Sequence, residues 1–258
     1  MNKIAAAFAG RKALIPFVTC GDPTLERTEA VVRAMAAAGA DLIELGIPFS
    51  DPTAEGPTIQ AATVRALAGG TTTDRIFDMV ERLRADVATP FVFMTYANVV
   101  FSYGIERFVA RCATLGVDGI ILPDVPYEEK DEFEAICLAH DVALIRLVAP
   151  TSGDRIPMLA EGAQGFLYVV SSLGVTGVRD GLPADLPETL AAIKAVSHVP
   201  CAVGFGIATP EQARAVARVA DGVIVGSAVV EKIHEAGEAA PAVVADYIRT
   251  LKAAITES

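Results

Sequence analysis

Short apolar runs rich in Val, Ile, Leu and Phe alternate along this chain with longer stretches in which apolar residues recur every three or four positions. The short runs read as strands buried on both faces, and the periodic stretches as amphipathic helices. Strands are predicted at 14–19, 41–45, 91–95, 119–122, 142–148, 165–169, 201–204 and 222–225. Helices are predicted at 26–38, 58–67, 73–85, 105–115, 128–140, 154–161, 186–196 and 210–219. Strands and helices alternating every ~25 residues make βαβ units and a parallel sheet.

A weak internal repeat supports this reading. AAGADLIELG (37–46), TLGVDGIILP (114–123), EGAQGFLYVV (161–170) and ARVADGVIVG (217–226) share one shape. A Gly or small residue ends a helix, a polar residue follows, and four or five apolar residues enter a strand. Eight strand candidates point to a single (β/α)8 TIM barrel, with residues 1–258 as one domain. A doubly wound open sheet is the alternative, but no GxGxxG follows the first strand. The regular pattern is broken by an extra helix and long loop after strand 2, a long loop at 171–187 after strand 6, and a closing C-terminal helix at 233–258 with Pro241 in its first turn. In a barrel both long loops lie on the C-terminal face, where sites form.

Composition narrows the function classes. The net charge of −11 argues against nucleic acid as a partner but leaves room for a small phosphorylated ligand, which helix N-termini hold without Lys or Arg. No apolar run reaches the ~18 residues of a membrane span, and Arg11 and Lys12 interrupt the N-terminal stretch too early for a signal peptide. A soluble, cytoplasmic protein is expected. Cys20, Cys112, Cys137 and Cys201 are far apart, without metal-ligand spacing, and read as reduced core thiols; no metal site is expected.

The chemistry concentrates in ELGIPFSDPTAEGP, residues 44–57. Glu44 ends a strand, where a carboxylate is costly unless paired or functional, and its pKa should be raised. Glu55, on the following loop, should ionise more easily, so the two can divide acid and base roles. The sequence also leaves open a structural ion pair for Glu44 and a solvated loop acid for Glu55. GFGIATPEQ (204–212) and VGSAVVEKI (225–233) each put Gly at a strand end and then open a helix, with Thr209 and Ser227 as candidate N-caps. Such a pair suits a phosphate site after strands seven and eight, and GVTG (174–177) offers further amides. Phe17, Tyr96, Tyr168 and Phe205 lie near strand ends and are candidate walls for a flat ring, with Tyr96 also a candidate donor to Glu44. Asp124 reads as a loop-fixing hydrogen bonder, and His140, His198 and His234 fall away from this face.

FVTCGDP (17–23), ELGIPFSDPTAEGPTIQ (44–60), TYAN (95–98), GVDGIILPDVP (116–126), GVTG (174–177) and VGFGIATPEQ (203–212) together resemble the tryptophan synthase α chain family. The resemblance runs from about residue 14 to 233. It implies retro-aldol cleavage of indole-3-glycerol phosphate to indole and glyceraldehyde 3-phosphate, with indole passed to a β chain. It implies no cofactor in this chain and pyridoxal phosphate in the β partner, in an α2β2 assembly. By resemblance Glu44 is the acid/base and Glu55 the carboxylate that engages the indole nitrogen. Gly177, Gly206, Gly226 and Ser227 match phosphate-binding positions. Phe17, Tyr96, Tyr168 and Phe205 match the pocket, and Thr176 the mobile loop. Asp51 and Pro52 fall on the loop that faces the β chain. Where the family commonly has Asp, this chain has Glu55, one methylene longer, which implies retained activity with an altered loop placement. Two rivals remain at this point: another phosphate-binding barrel lyase or isomerase, and a non-catalytic α-like activator of a β partner.

Overall fold

The computed structural model describes residues 3–170, 186–204 and 206–256. Among them, eight parallel strands close into one barrel in chain order. They are β1 (Ala13–Thr19), β2 (Ile43–Gly46), β3 (Phe91–Met94), β4 (Val117–Ile121), β5 (Ala143–Val148), β6 (Leu167–Val170), β7 (Cys201–Gly204) and β8 (Gly222–Val225). The helices are α1 (Lys3–Phe8), α2 (Leu25–Ala37), α3 (Pro57–Ala68), α4 (Thr73–Arg84), α5 (Ala97–Tyr103), α6 (Ile105–Thr114), α7 (Asp131–Ala139), α8 (Ile156–Ala160), α9 (Leu186–Val196), α10 (Pro210–Val219), α11 (Ser227–Ala236) and α12 (Ala240–Thr256). None of the described helices is long and apolar enough to cross a membrane.

Side-chain alternation divides the core in two. On β1, Ala13, Ile15 and Phe17 point into the barrel, while Leu14 and Val18 join the layer between sheet and helices. The inner layer takes Val92 and Met94 from β3, Ile145 from β5 and Ile224 from β8. At the N-terminal end α1 plugs the barrel with Ile4, and Phe8 packs on Phe166 with ring centroids 5.7 Å apart. All four cysteines are free thiols and buried.

The polar residue of the internal repeat has a defined task. In three of the four copies it is an aspartate whose carboxylate accepts from the first amides of a neighbouring strand. Asp41 accepts from Leu14 N at 2.7 Å, Asp118 from Phe91 N at 3.2 Å and Asp221 from Cys201 N at 3.0 Å. Each is balanced by a cation: Lys252 at 2.5 Å, Arg84 at 3.7 Å and Lys194 at 3.3 Å respectively. Charge-assisted bonds thus clamp the N-terminal rim of the barrel at three points.

Three elements depart from the sequence reading. α1 and α5 were not expected as helices; each is only six or seven residues long, too short for a helical period to register. The expected closing helix at 233–258 is two elements, α11 and α12, separated at Gly237, whose φ of +52° ends α11; Pro241 does lie in the first turn of α12. The segment after β2 holds both α3 and α4 behind a loop at 47–56, the predicted extra helix and loop.

Candidate active site

At the C-terminal mouth of the barrel is a cavity of about 240 Å3. Its floor and walls come from Phe17 of β1, Glu44 of β2, Met94 of β3, Tyr168 of β6 and Ile224 of β8. Residues 54–59 cover one side, and Gly206, Ile207, Ala208, Gly226, Ser227, Ala228 and Glu231 form the other.

Glu44 is 1 % exposed and one carboxylate oxygen, Oε2, has no hydrogen-bond partner. β2 pairs through Glu44 with Phe17 of β1 and Val92 of β3, so the side chain is held rigidly against the barrel interior. Burial, and secondarily the charge of Glu55, pushes its pKa from 4.5 up to about 8. Among the described residues no cation pairs with Glu44, which speaks against the structural ion pair left open by the sequence. Glu55 is partly buried and also leaves Oε2 unpaired. Burial raises its pKa to about 6, and a hydrogen bond from Tyr96 opposes the rise. It is therefore not the solvated loop acid left open by the sequence. The expected difference between the two carboxylates holds: Glu55 ionises at lower pH than Glu44.

Tyr96 differs from expectation. Its hydroxyl accepts from Ala54 N at 3.1 Å and hydrogen-bonds Glu55, not Glu44, and it does not line the cavity. Alternation along β3 would have pointed Tyr96 inward, but the strand stops at Met94 and Tyr96 becomes the N-cap of α5. Packed on Phe49 with centroids 5.3 Å apart, it clamps the loop from behind. Gln60 Nε2 adds a 2.8 Å bond to the Glu55 carbonyl. Tyr168 is the aromatic that stands beside Glu44, whose charge, after burial, contributes to raising the phenol pKa. Asp124 fixes a loop as expected: both its oxygens accept from Ala97 N, at 3.0 and 3.1 Å, at the start of α5.

Two strand-end glycines make room for the aromatic walls. A Cβ on Gly46 would lie 2.5 Å from Phe17 Cζ, and one on Gly204 would lie 2.6 Å from the Tyr168 hydroxyl. Gly204→Ala should therefore drive Tyr168 into the cavity and raise KM roughly tenfold with an unchanged far-UV circular dichroism spectrum, because displacements near 1 Å are felt strongly at a reacting site. Steady-state kinetics checks this.

The two expected helix starts behave differently. Thr209 caps α10 and forms a capping box with Gln212, whose side chain also accepts from Ala208 N, so the first amides of α10 are already used. Ser227, in contrast, is not a cap: Gly226 is, and no side chain bonds the first turn of α11. The orphan amides of α11 thus face the cavity with Gly206 opposite. Asp51 is exposed and Pro52 partly so, on the outer side of the loop. Thr176, Gly177 and Phe205 lie outside the described residues. Met94, Ile59, Ile224 and Glu231 were not singled out from sequence; the two-residue alternation of β3 and β8 carries the signal for Met94 and Ile224.

A closed (β/α)8 barrel whose C-terminal mouth holds a cavity with two carboxylates, each with one oxygen lacking a hydrogen-bond partner, has the architecture of the barrel enzymes that place their site at that mouth. The family model for the tryptophan synthase alpha chain matches residues 4–256. The tryptophan synthase alpha chain of Lacticaseibacillus casei is 48 % identical over 255 residues, covering 99 % of this chain and 96 % of that one. The crystal structure of tryptophan synthase subunit alpha from Legionella pneumophila superposes with a TM-score of 0.90 at 36 % identity, covering 100 % of both chains. A chain from a structural study of mutual activation in the a2b2 tryptophan synthase complex of Pyrococcus furiosus gives a TM-score of 0.87 at 36 % identity, over 93 % of this chain and 98 % of that one. The chain belongs to the tryptophan synthase α chain family. It is a carbon–carbon lyase that cleaves indole-3-glycerol phosphate to indole and glyceraldehyde 3-phosphate.

Proposed function

We propose that Glu44 moves the protons of the cleavage, that Glu55 faces the indole N–H, and that Gly206, Gly226 and Ser227 receive the phosphate. The observation that carries this reading is the pairing of a fully buried, raised-pKa carboxylate with a second, more acidic one on the same cavity. At neutral pH Glu44 is protonated and Glu55 ionised. Protonated Glu44 gives its proton to indole C3, making that carbon tetrahedral and placing a positive charge on the C2=N1 unit. Ionised Glu55 balances that charge at N1–H. Glu44, now a carboxylate, takes the proton of the adjacent glycerol hydroxyl. The C–C electrons return to the ring as the aldehyde forms, and Glu44 ends protonated as it began. Phe17 and Tyr168 flank the ring, and the amides of α11 fix the phosphate at the far end, which holds C3 near Glu44.

The partner is a β chain in an α2β2 assembly, with pyridoxal phosphate in that chain, and the exposed segment at Asp51 and Pro52 is its contact. The named Pyrococcus furiosus complex supports this assembly. The chain works in the cytoplasm as one domain spanning 1–258. The competent state has Glu55 ionised and Glu44 protonated, so kcat/KM should rise as pH passes about 6 and fall as it passes about 8. A profile of indole release from pH 5 to 9.5 tests it; a rate still climbing at pH 9 contradicts the assignment to Glu44.

A further inference from the structure

The charge around the cavity is lopsided. Of the described residues that line it, Glu44, Glu55 and Glu231 are acids and none is Lys or Arg. The cleavage uses the first two and leaves Glu231 without a task. Glu231 stands on α11 four residues after Ser227, one turn along the same face as the amides that meet the phosphate. Side chains on a helix lean toward its N-terminus, which carries this carboxylate toward those amides. It lies beyond the first turn, so the helix dipole gives it little in return. It is exposed, and no hydrogen bond or ion pair engages it among the described residues. The adjacent cation, Lys232, has its Nζ 4.7 Å from the ring centroid of Tyr247.

We infer that Glu231 limits the affinity of the phosphate end: its carboxylate repels the bound phosphoryl group and speeds departure of the phosphorylated product. The inference rests on the reading of Gly206, Gly226 and Ser227 as the phosphate site. The amides of α11 attract a dianion, and one acid a turn away, with no ion-pair partner among the described residues, sets how tightly it is kept. Across about 8 Å of a water-like dielectric, the repulsion of one negative charge on a dianion changes affinity about fivefold. The effect is screened beyond a Debye length, about 30 Å at 0.01 M salt and about 3 Å at 1 M.

The test is calorimetric titration of inorganic phosphate into the folded chain at pH 8, from about 0.01 M to about 0.5 M ionic strength. Glu231→Gln, Glu231→Lys and Gly226→Ala are compared with the unsubstituted protein. Glu231→Gln should bind phosphate about fivefold more tightly at the low-salt end and Glu231→Lys more tightly again, with both ratios falling toward one at high salt. The same ratios should appear in KM for indole-3-glycerol phosphate. If the Glu231 variants match the unsubstituted protein at low salt while Gly226→Ala weakens binding, the role of Glu231 is wrong and the phosphate site stands. A tightening independent of salt marks a packing effect and also overturns it. If no variant alters phosphate binding, the phosphate site itself is misassigned and the role of Glu231 falls with it.

Discussion

Glu44→Gln should lower indole release by ~10² or more and at the same time make the protein more stable at pH 8. The first effect follows from removing the buried, strand-held carboxyl group on the cavity. The second follows from linkage. The folded pKa of Glu44 is about 8 against an ordinary 4.5, so between those values the folded state holds a proton that the unfolded chain has released. Stability from this group is complete below about pH 4.5 and is lost progressively as pH rises to about 8. At pH 7 the loss is of the order of 3 kcal/mol. Gln cannot ionise and does not suffer it. Urea denaturation of both proteins at pH 5 and pH 8 measures the difference; a gap in midpoint that does not widen with pH contradicts the burial account. A site that makes catalysis and stability move in opposite directions is the signature of a functional group held against its solvation preference.

Glu55→Gln is the second large effect. It should also reduce kcat/KM by ~10² or more, because the positive charge that builds at N1 loses its counter-charge in a partly dry cavity. It should in addition erase the limb of the pH profile near pH 6, since that limb reports Glu55. Glu55→Asp is the informative control. The loop is pinned by the Tyr96 hydroxyl on Ala54 N and by Gln60 on the Glu55 carbonyl, so a shorter acid must reach further from a backbone that cannot follow. It should keep the limb and recover part of the rate. A Glu55→Gln enzyme that retains both limbs and most of its rate shows that the ring nitrogen meets some other group.

Much of this was legible in the sequence, for identifiable reasons. Mostly apolar runs of four to seven residues between periodic helices located all eight strands to within two residues, because strands buried on both faces tolerate few polar positions. Glu44 stood out because a charge in such a run is conspicuous. Tyr96 was misplaced because it follows a predicted strand end directly, whereas the strand stops at Met94 and Tyr96 caps α5. Ser227 was misread as a cap because Ser is a favoured cap residue, yet Gly226 takes that position and leaves the amides open. Glu231 carried no local signal at all: an acid on a surface helix is ordinary, and only the three-dimensional neighbourhood of the cavity sets it apart.

The three aspartate clamps have a consequence for how this chain tolerates change. Asp41, Asp118 and Asp221 secure the sheet at the rim opposite every reacting group, each with its own cation. Closure is therefore decided at one end and reactivity at the other. Loops at the mouth can be lengthened, exchanged or re-sequenced without asking the barrel to close differently. A lesion at a clamp, conversely, lowers the amount of folded protein without altering what the surviving molecules do. The scaffold is in that sense a host whose chemistry can change separately from its closure.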